Sequence, residues 1–431
     1  MEALTTSPVP PAEPRSLEET GISLGFLADL ALKTVYLKGE MSGQEVANAL
    51  GLPFANVVDR VLEFLKREEL CGVTGSRGFG ERAFQYVISH KGTDRVREVL
   101  SRSQYVGPAP VTLETYWAMV KRQSVNQVTV NRDDVRQAFS HLVLSQATLN
   151  KVGPAVNSGK SIFLYGPPGN GKTSMAEAIA LLLKGRVYIP YAVEVDGQVI
   201  KVFDPLNHQA VEMAMDRDAT PPPGLPRRDH RWVLATRPVV MVGGELTLES
   251  LDLVYDDIAK YYEAPFQMKA NGGMFLIDDF GRQQVRPRDL LNRWIVPLEK
   301  RVDYLTLETG KKIEIPFDQL IVFSTNIAPR ELVDEAFLRR IRHKIGVEDP
   351  SETLYRKIFQ LVCDQRGVPF EPAAFDYLLQ EHYHKVGREL KACHPRDIIE
   401  QIIDIARFQD VPPTMSKELI DQACETYFVA F

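Results

Sequence analysis

The chain has 431 residues, of which 44% are hydrophobic and 25% charged, and a formal net charge of −6. That size and balance suit a globular protein of two or three domains, and the acidic excess argues against a broad electrostatic grip on nucleic acid. The four cysteines (Cys71, Cys363, Cys393, Cys424) are scattered and form no CxxC pair, which argues for a reducing compartment and against a cysteine metal site.

Residues 1–20 carry Pro8, Pro10, Pro11 and Pro14 and lack the apolar core of a secretion signal, so they predict a disordered leader. No apolar run approaches the roughly 20 residues of a membrane span, and the expected location is the cytoplasm, away from membranes. From Gly21 the pattern turns helical, with Leu24, Leu27, Leu30 and Leu32 on overlapping faces. Ser42 followed by Glu45 predicts a capping box opening a second helix. A third helix follows Pro53, with Val57, Val61, Leu62 and Leu65 on one side. Next come an apolar run (Leu70–Thr74), a glycine-rich turn bearing Arg77 and Arg82 but also Glu81, a β-type run (AFQYVIS) and a last helix (GTDRVREVL). Three helices and a β-hairpin in this order resemble a winged-helix domain, spanning 21–104.

The Pro/Gly stretch Tyr105–Thr112 opens a linker expected over 105–130. A helical region from Asp133 to Val152 leads into a second domain. Its strands show as apolar runs at Ser161–Tyr165, Val187–Ile189, Met274–Ile277 and Leu320–Ser324. Helices alternate with them, which predicts an α/β fold with a mostly parallel sheet. The last 80 or so residues read as helices only.

Three motifs carry chemistry. In the first, an apolar strand runs into Gly166, Pro167, Pro168, Gly169, Asn170, Gly171, Lys172, Thr173 and Ser174, and a helix follows. Glycines let successive N–H groups point at phosphate oxygens, and the helix adds its positive end. Lys172 supplies a charge to the β/γ-phosphates and Thr173 a hydroxyl to Mg2+. The pattern predicts ATP and Mg2+ as cofactors. In the second, the strand GGMFLI ends in Asp278 and Asp279. A carboxylate there is costly unless it holds a cation or donors; Asp278 would hold Mg2+ and Asp279 would orient and deprotonate the attacking water. In the third, LIVFST ends in Asn326, whose amide would bond the γ-phosphate or that water.

In this order the motifs resemble AAA+ ATPases across about residues 131–431: a P-loop NTPase core over 131–347 and an all-helical lid over 348–431. The resemblance implies that Asn326 is sensor 1. It makes Arg340, in FLRRI, the arginine finger with Arg339 as understudy, and Arg396, in ACHPRDIIEQ, the sensor 2 residue. A finger acting on a neighbour's ATP implies a homo-oligomer, a hexamer by resemblance. YLTLE and KIEIP around a Thr-Gly-Lys turn resemble the hairpin inserted before sensor 1 in one AAA+ branch. The sequence departs from the family in having Asp-Asp where Asp-Glu is usual, and in an insertion at about 190–272. That insertion holds a hairpin around Asp196-Gly197, expected as a surface hairpin over one whose tip reaches a central pore to touch substrate, the proline tract Pro221–Pro223, and Glu245, a candidate reserve acid.

Three uses of ATP follow from the resemblance. One is remodelling of a protein client, chaperone-like, with the winged helix as adaptor. Another is an ATPase tethered to DNA by that domain. The last is a slow nucleotide switch. The third helix sets Asp59, Glu63, Glu68 and Glu69 against Arg60, Lys66 and Arg67, which favours a protein client over DNA.

Overall fold

The computed structural model describes residues 8–211, 227–332 and 335–428. In chain order the strands are β1 (Met41–Ser42), β2 (Cys71–Ser76), β3 (Phe84–Ile88), β4 (Val111–Thr112), β5 (Ser161–Tyr165), β6 (Arg186–Pro190), β7 (Ala192–Val195), β8 (Gln198–Lys201) and β9 (Trp232–Thr236). They continue with β10 (Val239–Val242), β11 (Val254–Asp256), β12 (Tyr261–Glu263), β13 (Met274–Ile277), β14 (Val302–Thr306), β15 (Lys312–Pro316), β16 (Leu320–Thr325) and β17 (His343–Gly346).

Five strands in the order β10-β13-β16-β5-β17 form a fully parallel sheet. Its central strands are buried almost end to end, with apolar middles, because they serve two cores. Ile162, Leu164, Leu276 and Val322 pack with helix residues Met175 and Ile179 on one face. Phe163, Phe275 and Phe323 pack with Leu290, Leu291 and Trp294 on the other. Burial on both faces is what a parallel sheet flanked by helices requires, and this is the α/β sheet that the alternating strands and helices of the sequence predict. Beyond β17, the helices Glu352–Arg366, Pro372–Leu379, His394–Phe408 and Lys417–Tyr427 close around their own core of Tyr355, Phe359, Phe375, Tyr383 and Ile402.

The N-terminal unit packs helices Leu24–Lys38, Gly43–Leu50 and Asp59–Arg67 with an antiparallel sheet of order β1-β3-β2. The capping box forms as the sequence predicts: Ser42 Oγ accepts from Glu45 N at 3.2 Å, and Glu45 Oε2 accepts from Ser42 N at 2.6 Å. No helix among the described residues is long and apolar enough to cross a membrane.

Three expectations are corrected here. Residues 8–20 are not a disordered leader: Glu13 N donates to Arg227 O at 2.8 Å, Asp229 N donates to Pro11 O at 2.9 Å, and Pro11, Pro14 and Thr20 are buried. Prolines favour an extended chain, and this one has a surface to lie on; residues 1–7 fall outside the described residues. Nor is 105–130 a plain linker. Val111–Thr112 forms β4, and the helix Leu113–Arg122 buries Tyr116, Met119 and Val120 at helical spacing. The hairpin around Asp196-Gly197 is no isolated surface hairpin either. Its strands β7 and β8 sit inside a second sheet, β11-β12-β8-β7-β4, whose core includes Val193, Ile200 and Tyr262. Leu305, Leu307, Ile313 and Ile315 of the β14–β15 hairpin join that core. The proline tract Pro221–Pro223 lies outside the described residues.

Ala192 and Val199 of the second sheet pack into the core of the N-terminal unit, and a buried ion pair just before β9 joins them. Asp229 and Arg231 form an ion pair at 2.8 Å with side chains only 3% and 4% exposed, and Arg231 Nη1 donates to the carbonyls of Thr20 and Pro110 at 3.3 Å each. Removing the guanidinium strands the Asp229 carboxylate in the interior. Arg231→Ala is expected to cost about 3–5 kcal/mol of stability in denaturant unfolding; a loss under about 1 kcal/mol would contradict this docking.

Candidate active site

The loop between β5 and the helix Lys172–Leu182 turns through left-handed backbone at Gly169 (φ 80°) and Gly171 (φ 77°). Gly166 passes so close to the next strand that an added Cβ would lie 2.1 Å from Val347 O. Lys172 is 6% exposed, and its Nζ donates to the carbonyls of Gly166 at 3.0 Å and Pro167 at 2.8 Å. The ammonium thus sits within its own loop. Burial lowers its pKa, the Asp279 and Asp278 carboxylates oppose that shift, and the Lys391 cation adds to it.

Register places the acids. β13 lies between β10 and β16, and its last apolar residue, Ile277, pairs with Phe323. The next residue, Asp278, is half-buried and accepts from Thr173 Oγ1 at 2.9 Å and from Asp279 N at 3.0 Å. Asp279 is exposed and adopts φ +48°. The following Phe280 explains that turn: its ring is buried in the aromatic core, its N–H donates to Ser324 O at 2.7 Å, and its carbonyl accepts from Thr325 Oγ1 at 2.7 Å. The chain must fold back at once, and a short side chain that bonds locally tolerates left-handed backbone better than glutamate does. This is a physical reason for aspartate at 279. Asn326 Nδ2, at the end of β16, donates to Asp279 Oδ1 at 3.2 Å.

These groups line one cavity of about 410 Å3. Pro168, Gly169, Asn170, Gly171, Lys172, Thr173, Ser174, Asp278, Asp279, Asn326 and Arg396 all reach it, while Gly166 and Pro167 stand behind as acceptors for Lys172. Arg396 lies near the start of the helix His394–Phe408, paired with Asp397 at 3.0 Å. Arg340 does not line the cavity of its own chain; its Nε donates to Glu299 Oε1 at 2.6 Å. Arg339 is exposed. Glu245 is not a reserve acid here: it is outside the lining, and its carboxylate accepts from Gly243 N at 2.9 Å, which holds its pKa below the usual range. Thr173 Oγ1 and Asp278 Oδ2, side by side, are hard oxygen donors that fit Mg2+.

Sequence reasoning missed the apolar wall. Leu142, Val143 and Leu144 come from the loop between the helices Arg132–Ala138 and Gln146–Asn157, and Ile358, Leu361 and Val362 from the helix Glu352–Arg366. These are ordinary hydrophobic residues without a motif. The break in the helical pattern near Ser140 was the only available signal.

Comparisons with known proteins give partial matches. A family model described as a domain of unknown function (DUF8689) matches residues 351–426. A vesicle-fusing ATPase of Dictyostelium discoideum is 47% identical over 55 residues, 13% of this chain and 7% of that protein. Among solved structures, NtrX from Brucella abortus is similar over 67% of this chain and 56% of its own, with 16% identity and a TM-score of 0.39. The Thermotoga maritima RuvB Holliday junction branch migration motor is similar over 70% and 72%, with 13% identity and a TM-score of 0.34. These short or loose likenesses leave the reading of the chain to the geometry above.

The C-terminal helices also hold a polar chain that ends at the half-buried His394, next in sequence to the lining residue Cys393. Tyr355 Oη lies 2.7 Å from Tyr383 Oη, which lies 3.0 Å from His394 Nδ1. Burial lowers the His394 pKa from 6.5 to about 4, with Asp397 opposing and Arg388 and Lys391 assisting. Between those values the unfolded chain binds a proton that the folded chain refuses, so stability falls as pH drops from 6.5 towards 4. Melting curves across that window should show a shallower acid slope for His394→Phe than for wild type. Parallel slopes would contradict a neutral, half-buried His394.

Proposed function

We propose that this chain is an AAA+-type ATPase that binds Mg-ATP in the P-loop cavity and hydrolyses it to ADP and phosphate. Its cycle would drive remodelling of a protein partner, chaperone-like, within a homo-oligomeric ring, a hexamer by resemblance. The observation that carries the reading is the convergence of Lys172, Thr173, Asp278, Asp279 and Asn326, from three adjacent parallel strands, on one cavity.

In this reading the backbone of residues 166–174 cradles the phosphates, and Lys172 leaves the carbonyls of Gly166 and Pro167 for the β/γ-phosphates. Thr173 and Asp278 hold Mg2+, which when bound offsets phosphate charge. Asp279 accepts the proton of the attacking water, and Asn326 holds that carboxylate in place. Arg396 stabilises transferring charge from the same chain, and Arg340 does so on a neighbour's nucleotide.

The three helices and the β1-β3-β2 sheet support a winged-helix adaptor, and the β14–β15 hairpin directly before β16 supports the pre-sensor-1 branch. The exposed face of the third helix mixes Arg60 and Arg67 with Glu63 and Glu68, which supports a protein partner over DNA.

The test is steady-state ATP hydrolysis over a range of protein concentrations. Wild type is expected to turn over ATP with specific activity rising with concentration. Lys172→Ala should lose nucleotide binding. Asp279→Asn, which suits the same left-handed backbone, should bind ATP and lose hydrolysis by a factor of about 100 or more. Arg340→Ala should lose hydrolysis with binding intact. Tight ATP binding through Lys172 with no phosphate release at any concentration would replace the motor with a switch.

A further inference from the structure

Asn170 belongs to the P-loop, yet its amide is committed to the C-terminal part of the chain. The residue is 4% exposed. Its Nδ2 donates to Asp349 Oδ1 at 2.6 Å, and its Oδ1 accepts from Ala392 N at 3.1 Å. One residue back in the loop, Gly169 O accepts from Cys393 N at 2.8 Å, and a Cβ on Gly169 would lie 2.7 Å from Cys393 Sγ. Lys391 Nζ completes the joint. It donates to both Asp349 oxygens at 2.9 Å and to Glu389 Oε2 at 2.7 Å. The Lys391 and Asp349 side chains are only 17% and 28% exposed, so water screens this pair weakly.

Asp349 and Lys391 lie on two connecting segments of the C-terminal part, one before its first helix and one midway through it. Asp349 sits between β17 and the helix Glu352–Arg366, and Lys391 sits just before the helix His394–Phe408. Those helices supply Ile358, Leu361, Val362 and Arg396 to the cavity, while the P-loop supplies the opposite wall. The joint is therefore a polar clasp between the two walls. Charge-assisted hydrogen bonds of this kind are stronger than neutral ones.

We propose that Asp349 and Lys391 are positioning residues for the nucleotide: acting through Asn170, they hold the C-terminal helices closed over the P-loop and slow nucleotide release. This rests on the reading of the cavity as an ATP site. Neither residue belongs to a motif that sequence alone singles out. Their contribution depends on two distant segments meeting at the loop.

The experiment is release of ADP carrying a fluorescent N-methylanthraniloyl group from the full chain, chased with excess ADP in a stopped-flow instrument. Melting of the nucleotide-free protein is followed in parallel. Lys391→Ala and Asp349→Ala are expected to speed release about tenfold, equivalent to about 1.4 kcal/mol, with melting little changed. Lys391→Arg should restore the wild-type rate. A structural role alone would lower the melting temperature and leave release unchanged. Should an alanine variant fail to fold, Asp349→Asn keeps the acceptor for Asn170 and loses the charge; it should still release ADP several times faster. Release within about twofold of wild type in both Lys391→Ala and Asp349→Asn overturns the clasp, with the ATP site intact. Failure of the wild type to bind the probe at all overturns the ATP site itself, and the clasp with it.

Discussion

Two carboxylates at the end of a buried apolar strand are the constraint on which the rest of the site depends. Asp278 and Asp279 emerge from β13 where Met274–Ile277 are fully buried, and the charge of half-buried Asp278 is costly unless something answers it. Thr173 and the Asp279 amide answer Asp278, and Asn326 answers Asp279. Those partners come from the neighbouring strand β16 and from the helix after β5, so the parallel order of the sheet brings them together. The left-handed turn at Asp279 follows from the same place. Phe280 must enter the aromatic core of Phe163, Trp294 and Phe323, and the two hydrogen bonds to Ser324 and Thr325 fix where it enters.

Around this sheet the molecule adds a second layer of organisation. Four strands between β6 and β13 (β7, β8, β11 and β12) join β4 in a second sheet. It packs under the β14–β15 hairpin and against the N-terminal unit. Lys311, at the tip of that hairpin, pairs with Asp196 at the tip of β7–β8, and Trp117 Nε1 donates to Glu314 O at 3.0 Å. The N-terminal unit is thus held through the buried Asp229–Arg231 pair and a shared apolar core.

Much of this was legible in the sequence, for a definite reason. The P-loop, the acids after β13 and the asparagine after β16 are chemical groups at fixed offsets from apolar runs, and both the offset and the run are local. The capping box at Ser42 and Glu45 was legible on the same grounds. What sequence reasoning lost depends on contacts between distant residues. Pro11 and Pro14 read as disorder because the surface around Arg227 and Asp229 is more than 200 residues away. Tyr116, Met119 and Val120 read as linker because the sheet they cover is assembled from four later strands. Asp349 and Lys391 carry no signal in the sequence because their meeting with Asn170 has no local trace. Asp279 is an intermediate case: its identity departs from the family pattern, and only the left-handed turn forced by Phe280 supplies the reason.

The most direct measurement of the central claim is a crystal structure of the full chain with Mg2+ and a non-hydrolysable ATP analogue. The account predicts the triphosphate along residues 166–174, with Lys172 Nζ moved from the carbonyls of Gly166 and Pro167 onto phosphate oxygens. The metal should lie between Thr173 and Asp278. A nucleotide bound elsewhere, or Lys172 still on its own loop carbonyls with the analogue present, would contradict it.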